Sequence, residues 1–178
     1  MYNGKLVRLR EYRKSDIDTV LQYINDEEVK ENLIPGIPFP YTREDEEKWL
    51  ESNTAMKDTY NFAIETLEDK IYLGGCGINE VDWKNSKVII GIFIGNKDYW
   101  NKGYGTDAMN VLIRFIFNEM NINKIKLCVY SFNKRAIRCY EKCGFIQEGI
   151  LRQELYRNGK YHDEIEMAIL KEDYNKNN

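Results

Sequence analysis

The chain has 178 residues, 43% hydrophobic and 31% charged, with 26 Lys+Arg against 29 Asp+Glu and a net charge of −3. That length suits one domain spanning 1–178, and the composition excludes a disordered or fibrous chain. The slight acidic excess argues against a dedicated nucleic-acid binder, no apolar run nears the roughly 18–20 residues of a membrane span, and Met1 to Val7 lacks the apolar stretch of a secretion signal, so a soluble cytoplasmic protein is expected.

Lys5 to Arg10 alternates apolar and basic residues, as a half-buried strand does. Ser15 stands where an N-cap would, ahead of Ile17, Val20, Leu21 and Ile24 at helical spacing. Leu33 to Pro40 holds all three prolines and reads as a loop, either the wall of a binding site or a packed connector. Thr42 opens a second helix, with Glu44, Asp45 and Glu46 at its positive end and Trp49 and Leu50 on its buried side. Tyr60 to Thr66, Ile71 to Asp82 and Ser86 to Gly95 read as three consecutive strands. A long apolar helix from Gly103 to Met120 follows, then a strand from Ile122 to Tyr130. A helix from Asn133 to Cys143 ends at Gly144, which suits a C-terminal cap. Phe145 to Leu155 and Tyr161 to Leu170 form two last strands around the turn Arg157-Asn158-Gly159.

Cys76, Cys128, Cys139 and Cys143 lack the paired spacing of a zinc site, so no metal is expected, and a disulfide framework has no secretory context. Cys139 and Cys143 fall on one helical face. His162 is the single histidine, and no serine or cysteine motif beside it supports a hydrolase triad.

The segment Ile92 to Ala108 carries more chemistry. A strand runs into a loop, and Gly103 and Gly105 sit where a helix begins, so backbone N–H groups and the helix dipole can meet a phosphate, with Lys102 adding a full charge. Gly103-x-Gly105-x-x-Ala108 satisfies the dinucleotide fingerprint, but eight residues separate it from Ile94 and the next strand ends Val129-Tyr130-Ser131 without an acid. The Gly-Lys-Ser/Thr of a P-loop is absent too. Glycines that merely shape a turn remain an alternative at this point. Beyond the next strand, Ala136, Ile137 and Tyr140 share a helical face near Lys134, Arg135 and Arg138, a pattern that fits core packing or phosphate contact.

Together, three motifs resemble the GNAT superfamily of acetyl-CoA-dependent N-acetyltransferases, over almost the whole chain. Tyr99-Trp100-Asn101-Lys102-Gly103-Tyr104-Gly105-Thr106 is similar to its pyrophosphate loop, Asn133-x-x-Ala136-x-x-x-Tyr140-x-x-x-Gly144-Phe145 to its second cofactor motif, and Leu33-Ile34-Pro35 through Trp49-Leu50 to a substrate-side loop and helix. The likeness is strongest to ribosomal-protein N-terminal acetyltransferases of the RimJ/RimL type and to bacterial spermidine acetyltransferases.

The resemblance implies an α+β fold, a mixed and mostly antiparallel sheet flanked by helices with splayed central strands. It implies that the backbone of Phe93, Ile94 and Gly95 pairs with the pantetheine arm and that Trp100, Asn101, Lys102, Gly103, Tyr104, Gly105 and Thr106 wrap the pyrophosphate. Asn133 and Arg135 would contact acetyl-CoA, and Tyr140 would protonate the departing thiolate. Trp100 stands where the family usually has Gln or Arg.

Ile89, with Ile90 beside it, occupies the place where the family often has a general base, leaving Glu80 as the candidate acting through water, with Asp82 close by. An α-amine titrates near about 7.7–8.0 and a lysine-like or polyamine amine near about 10.4, so a missing base favours a peptide N-terminus. Glu31, with Asp26, Glu27 and Glu28, could attract a polyamine, and Leu33 and Phe39 could line the acceptor site. A polyamine or antibiotic acceptor and a non-catalytic acyl-CoA-binding module are the competing functions. The chain would be a monomer or a homodimer.

Overall fold

A computed structural model describes residues 2–33, 36–52 and 60–176. Among them, seven strands form one sheet. β1 (Val7–Arg10), β2 (Tyr60–Thr66), β3 (Tyr72–Asp82) and β4 (Lys87–Ile94) pair antiparallel in sequence order. β4 then pairs parallel with β5 (Lys124–Tyr130), which requires the crossover supplied by α4 (Tyr104–Glu119). β7 (Lys160–Leu170) lies antiparallel between β5 and the edge strand β6 (Ile146–Arg157), and α5 (Lys134–Lys142) connects β5 to β6.

The larger core packs α4, through Met109, Leu112, Ile116 and Phe117, on Val88, Ile90, Ile125, Leu127 and Met167 of the sheet. Each large side chain fully buried there contributes roughly 1.5–3 kcal/mol. The opposite face is covered by α1 (Ile17–Asn25), whose Val20 and Ile24 meet Ala63 and Tyr72, followed in the chain by α2 (Glu27–Leu33) and α3 (Arg43–Ser52).

The expected strands and long helices are present, with bounds shifted by a residue or two. Several local expectations need correction. Ser15 lies inside a 3-10 turn, Lys14–Asp16, and Asp16 does the binding: its carboxylate accepts the Arg13 N–H at 2.9 Å and both guanidinium arms of Arg10 at 2.8 Å. The acidic run at 26–31 is largely a helix, because Asp26 Oδ1 accepts the N–H groups of Glu28 and Val29 as an N-cap does. Thr42 and Asp45 exchange side-chain-to-backbone bonds at the start of α3, but Trp49 is 39% exposed instead of buried. A short helix, α6 (Lys171–Lys176), closes the described chain. Ile34 and Pro35 of the proline loop lie outside the described residues.

Parallel pairing of β4 with β5 covers only Lys87–Ile89 against Lys124–Lys126. Past that point β4 follows β3 as far as Ile94 opposite Gly74, while β5 follows β7 as far as Tyr130 opposite Glu164. Each strand keeps its outer partner, so a wedge opens between them.

Candidate active site

The wedge leads into a cavity of about 570 Å³ that reaches both faces of the sheet. Strand alternation divides its walls. Ile90, Ile92 and Ile94 of β4 pack toward α4, whereas Phe93 packs with the α1 cluster. Thr106, Asn133, Ala136 and Tyr140 therefore line the α4–α5 side, and Tyr12, Leu33 and Trp49 the α1–α3 side.

On the α4–α5 side, backbone direction decides which groups are available. Gly95 donates its N–H to Leu73 O at 2.8 Å, so Phe93 and Gly95 direct their peptide groups to β3, and Ile92 and Ile94 direct theirs into the wedge. Trp100 Nε1 donates to Ile94 O at 2.6 Å, and the Arg135 guanidinium carbon lies 3.3 Å from the centre of the indole ring. Trp100 is thus a strut between β4 and α5.

The loop then enters α4 through Gly103, at φ 90° and left-handed, a conformation that suits glycine. The first amide of this helix to find a backbone partner is that of Asp107, which donates to Gly103 O at 2.9 Å. The amides before it form the positive end of the helix dipole, and Gly105 and Thr106 of that turn line the cavity. A Cβ added at Gly105 would lie 3.6 Å from Ile94 and 3.9 Å from Cys139, ordinary contacts, so the fold itself does not demand glycine there.

α5 is capped by Asn133, whose Oδ1 accepts the Ala136 N–H at 3.1 Å, leaving its NH2 group for the cavity. Cys139 and Cys143 do share a face, and it is turned to Thr106: the Thr106 hydroxyl is 3.3 Å from Cys139 Sγ, and the Cys143 thiol donates to Thr106 O at 3.7 Å. The close neighbour Cys143, with the Thr106 hydroxyl, holds the Cys139 thiol below its ordinary pKa. Tyr140 is 7% exposed, and burial pushes its phenol well above the ordinary value, so it remains protonated at neutral pH.

Of the residues expected around the cofactor, Phe93, Ile94, Trp100, Asn101, Gly103, Gly105, Thr106, Asn133, Arg135 and Tyr140 line this cavity. Gly95, Lys102 and Tyr104 do not. Gly95 makes room for the Tyr23 ring, Lys102 is exposed, and Tyr104 packs edge-on against Tyr99 at 4.9 Å.

On the α1–α3 side, the Tyr12 ring meets Trp49 edge-on at 4.9 Å, and its hydroxyl sits where a Cβ at residue 75 would be, which Gly75 permits. Leu33 lines this wall as expected. Phe39 is 75% exposed away from it, and Glu31 is held by Asn158 Nδ2 at 2.7 Å outside it. Glu80 also lies outside the lining. It pairs with Ile89, where β4 is still bonded to β5 and the wedge is closed.

The carboxylate that does line the cavity, alone among the described residues, is Glu164 of β7. It lies opposite Tyr130 and beside Cys128, whose thiol is pushed up to about 11, first by burial and then by the Glu164 charge. Sequence reasoning missed Glu164 and Tyr12, because neither belongs to a motif with fixed spacing. The single histidine is structural: His162 Nε2 is 3.3 Å from Arg157 O, and its ring packs on Phe132.

Comparison with known proteins agrees with this geometry. The acetyltransferase (GNAT) domain family matches residues 7–146. The chain is 28% identical over 176 residues to an uncharacterized N-acetyltransferase, p20, of Bacillus licheniformis, covering 98% of this chain and 97% of that protein. It is 32% identical over 108 residues to a putative ribosomal N-acetyltransferase, YdaF, of Bacillus subtilis, covering 61% and 58%. The fold superposes on a spermidine N-acetyltransferase of Vibrio cholerae, solved with CoA and spermine, with a TM-score of 0.85, 24% identity and coverage of 94% and 97%. Because the matched span runs from β1 past α4 and α5, the chain belongs to the GNAT acetyltransferases, enzymes that transfer an acetyl group from acetyl-CoA to an amine.

Proposed function

We propose that this N-acetyltransferase acts on the α-amine of a peptide or protein N-terminus. The observation that carries the reading is the character of the acceptor wall: one carboxylate, Glu164, among neutral groups such as Tyr12, Trp49, Asn32, Asn61 and Asn79. A polyamine brings a positive charge at each nitrogen, and each charge withdrawn from water needs a partner. A peptide N-terminus brings one charge followed by neutral amides, which asparagine side chains suit as donors and acceptors. Glu31, the acid expected to attract a polyamine, is bound by Asn158 outside the cavity.

The α4–α5 side fits acetyl-CoA. The open N-terminus of α4 and the residues Trp100, Asn101, Gly103, Gly105 and Thr106 would hold the pyrophosphate, the wedge-facing peptide groups of Ile92 and Ile94 the pantetheine arm, and Asn133 and Arg135 other parts of the cofactor. Acetyl-CoA supplies an acetyl group already activated as a thioester. Tyr140 gives its proton to the departing sulfur, and its raised pKa keeps that proton in place until then. Because the two substrates would enter from opposite faces of the sheet, both bind at once and the amine attacks directly.

The reading is tested by free-thiol release from acetyl-CoA with short peptides, spermidine and an aminoglycoside, between about pH 6.5 and 9. Rates on peptides should rise to a plateau near the α-amine pKa of about 7.7–8.0. Preference for spermidine would instead establish the small-amine reading, which the likeness to the Vibrio cholerae enzyme favours. Tyr140→Phe should lower kcat roughly 10²-fold or more with the Kd for CoA unchanged. An unaltered kcat would remove Tyr140 from the chemistry.

A further inference from the structure

Acetyl transfer needs a neutral amine, yet every candidate acceptor is at least partly an ammonium at neutral pH. Ile89 has no group that accepts a proton, and Glu80, paired with it, stands at the closed end of the wedge. The acids near the opening differ in what already occupies them. Glu166 is 3.4 Å from Lys126, and Asp163 Oδ1 accepts the Gln153 N–H at 2.9 Å. Glu164 has no ion-pair partner among the described residues, lines the cavity, and is only partly buried, so protons can pass from it to water. The titratable groups around it are Cys128 and Tyr130 of β5, both raised chiefly by burial and further by the Glu164 charge, and Arg157 of β6, whose charge reaches Tyr130. The two β5 groups therefore stay neutral near pH 7, and the Cys128 thiol is a hydrogen-bond donor toward the carboxylate.

We propose that Glu164 is the proton acceptor of the reaction, receiving the substrate ammonium at the wedge and taking the protons that the nitrogen must lose. The inference rests on acetyl transfer to an amine within this cavity and not on which amine is used. Glu164 takes one proton to leave a neutral amine and passes it to water. As the nitrogen–carbon bond forms and the carbon–sulfur bond breaks, Glu164 takes the second, while Tyr140 gives one to sulfur and recovers it from water. The cycle releases one net proton. Glu164 belongs to the α1–α3 side and Tyr140 to the α4–α5 side, so proton acceptor and proton donor address the wedge from opposite faces of the sheet.

The experiment measures kcat/KM against pH for the wild type, Glu164→Gln and Glu164→Asp, on whichever acceptor of the panel is turned over, together with CoA affinity and melting temperature. Glu164→Gln should lose roughly 10²-fold or more at pH 7, and the deficit should shrink as pH approaches the amine pKa and the neutral form becomes abundant. Glu164→Asp should recover part of the rate, and CoA affinity should not move in either variant. Rates within about threefold of wild type across the pH range would overturn the proposal. So would a loss that is equal at every pH and shared by Glu164→Asp, since that pattern marks a structural role. Preference for spermidine over peptides would sink the acceptor reading alone and leave this test standing.

Discussion

Gly103 and Gly105 stand two residues apart and answer to different demands. Gly103 holds φ 90°, which an L side chain resists, so Gly103→Ala should cost roughly 1–2 kcal/mol of stability, read as a shift in urea midpoint. Gly105 has ordinary dihedrals and room for a Cβ, so its smallness faces the cavity and not the core. Gly105→Val should leave the urea midpoint nearly in place yet raise the Kd for CoA by roughly tenfold or more, about 1.4 kcal/mol. Equal damage to both properties by both variants would mean that the turn is only a structural element. The same contrast separates Glu80 from Glu164: both are glutamates on strands, and only the place where β4 leaves β5 distinguishes them.

At the scale of elements, one acid ties the start of α4 to the segment entering β1. Asp107, in the first turn of α4, accepts the backbone N–H groups of Lys5 at 3.0 Å, Leu6 at 2.7 Å and Val7 at 3.0 Å. An acid so close to the proposed phosphate site would repel the ligand if it faced the cavity. Instead its charge is taken up by strand amides on the other side, and the helix N-terminus stays electropositive. Asp107→Ala should destabilise the fold by about 2 kcal/mol, the scale of a charge-assisted hydrogen bond, and should weaken CoA binding because the start of α4 loses its anchor. Chemical denaturation and CoA titration of the one variant check both effects. α5 is tied to the same turn from the opposite side, through Cys139 and Cys143 on Thr106.

For the whole molecule, the acceptor-side layer is joined to the sheet through buried charge. Arg10 and Glu65, 8% and 3% exposed, are 2.6 Å apart, with Asp16 and Arg8 completing the network. Burial alone would raise Glu65, but hydrogen bonds from Arg10 and Arg8 outweigh it and hold the carboxylate below its ordinary range. A depressed carboxylate stabilises the fold above its unfolded-state pKa and loses that contribution as pH falls through its folded value. Stability should therefore decline below about pH 4.5, and Glu65→Gln should cost roughly 1.5–3 kcal/mol at pH 7 while flattening the acid limb, because Arg10 keeps Asp16 but loses a charged hydrogen-bond partner at Nε. Urea midpoints at several pH values provide the measurement. The α4–α5 side was legible in the sequence: a loop, a helix start and a capped helix are built from consecutive residues, so the spacing of Trp100 to Thr106 and of Asn133 to Phe145 already carries their geometry. Alternation and turn residues likewise disclosed the strands. On the α1–α3 side the sequence offered Leu33 and Trp49, and only the tertiary structure added Tyr12, Asn61 and Glu164, because that wall gathers its residues from five separate segments. The acidic run at 26–31, expected only as a polyamine attractant, is ordered as a helix by the N-cap at Asp26. The identity of the cavity carboxylate depends on how far β4 and β5 stay paired, and that distance is set by the hold of β3 on one strand and of β7 on the other, long-range pairings that no local pattern encodes.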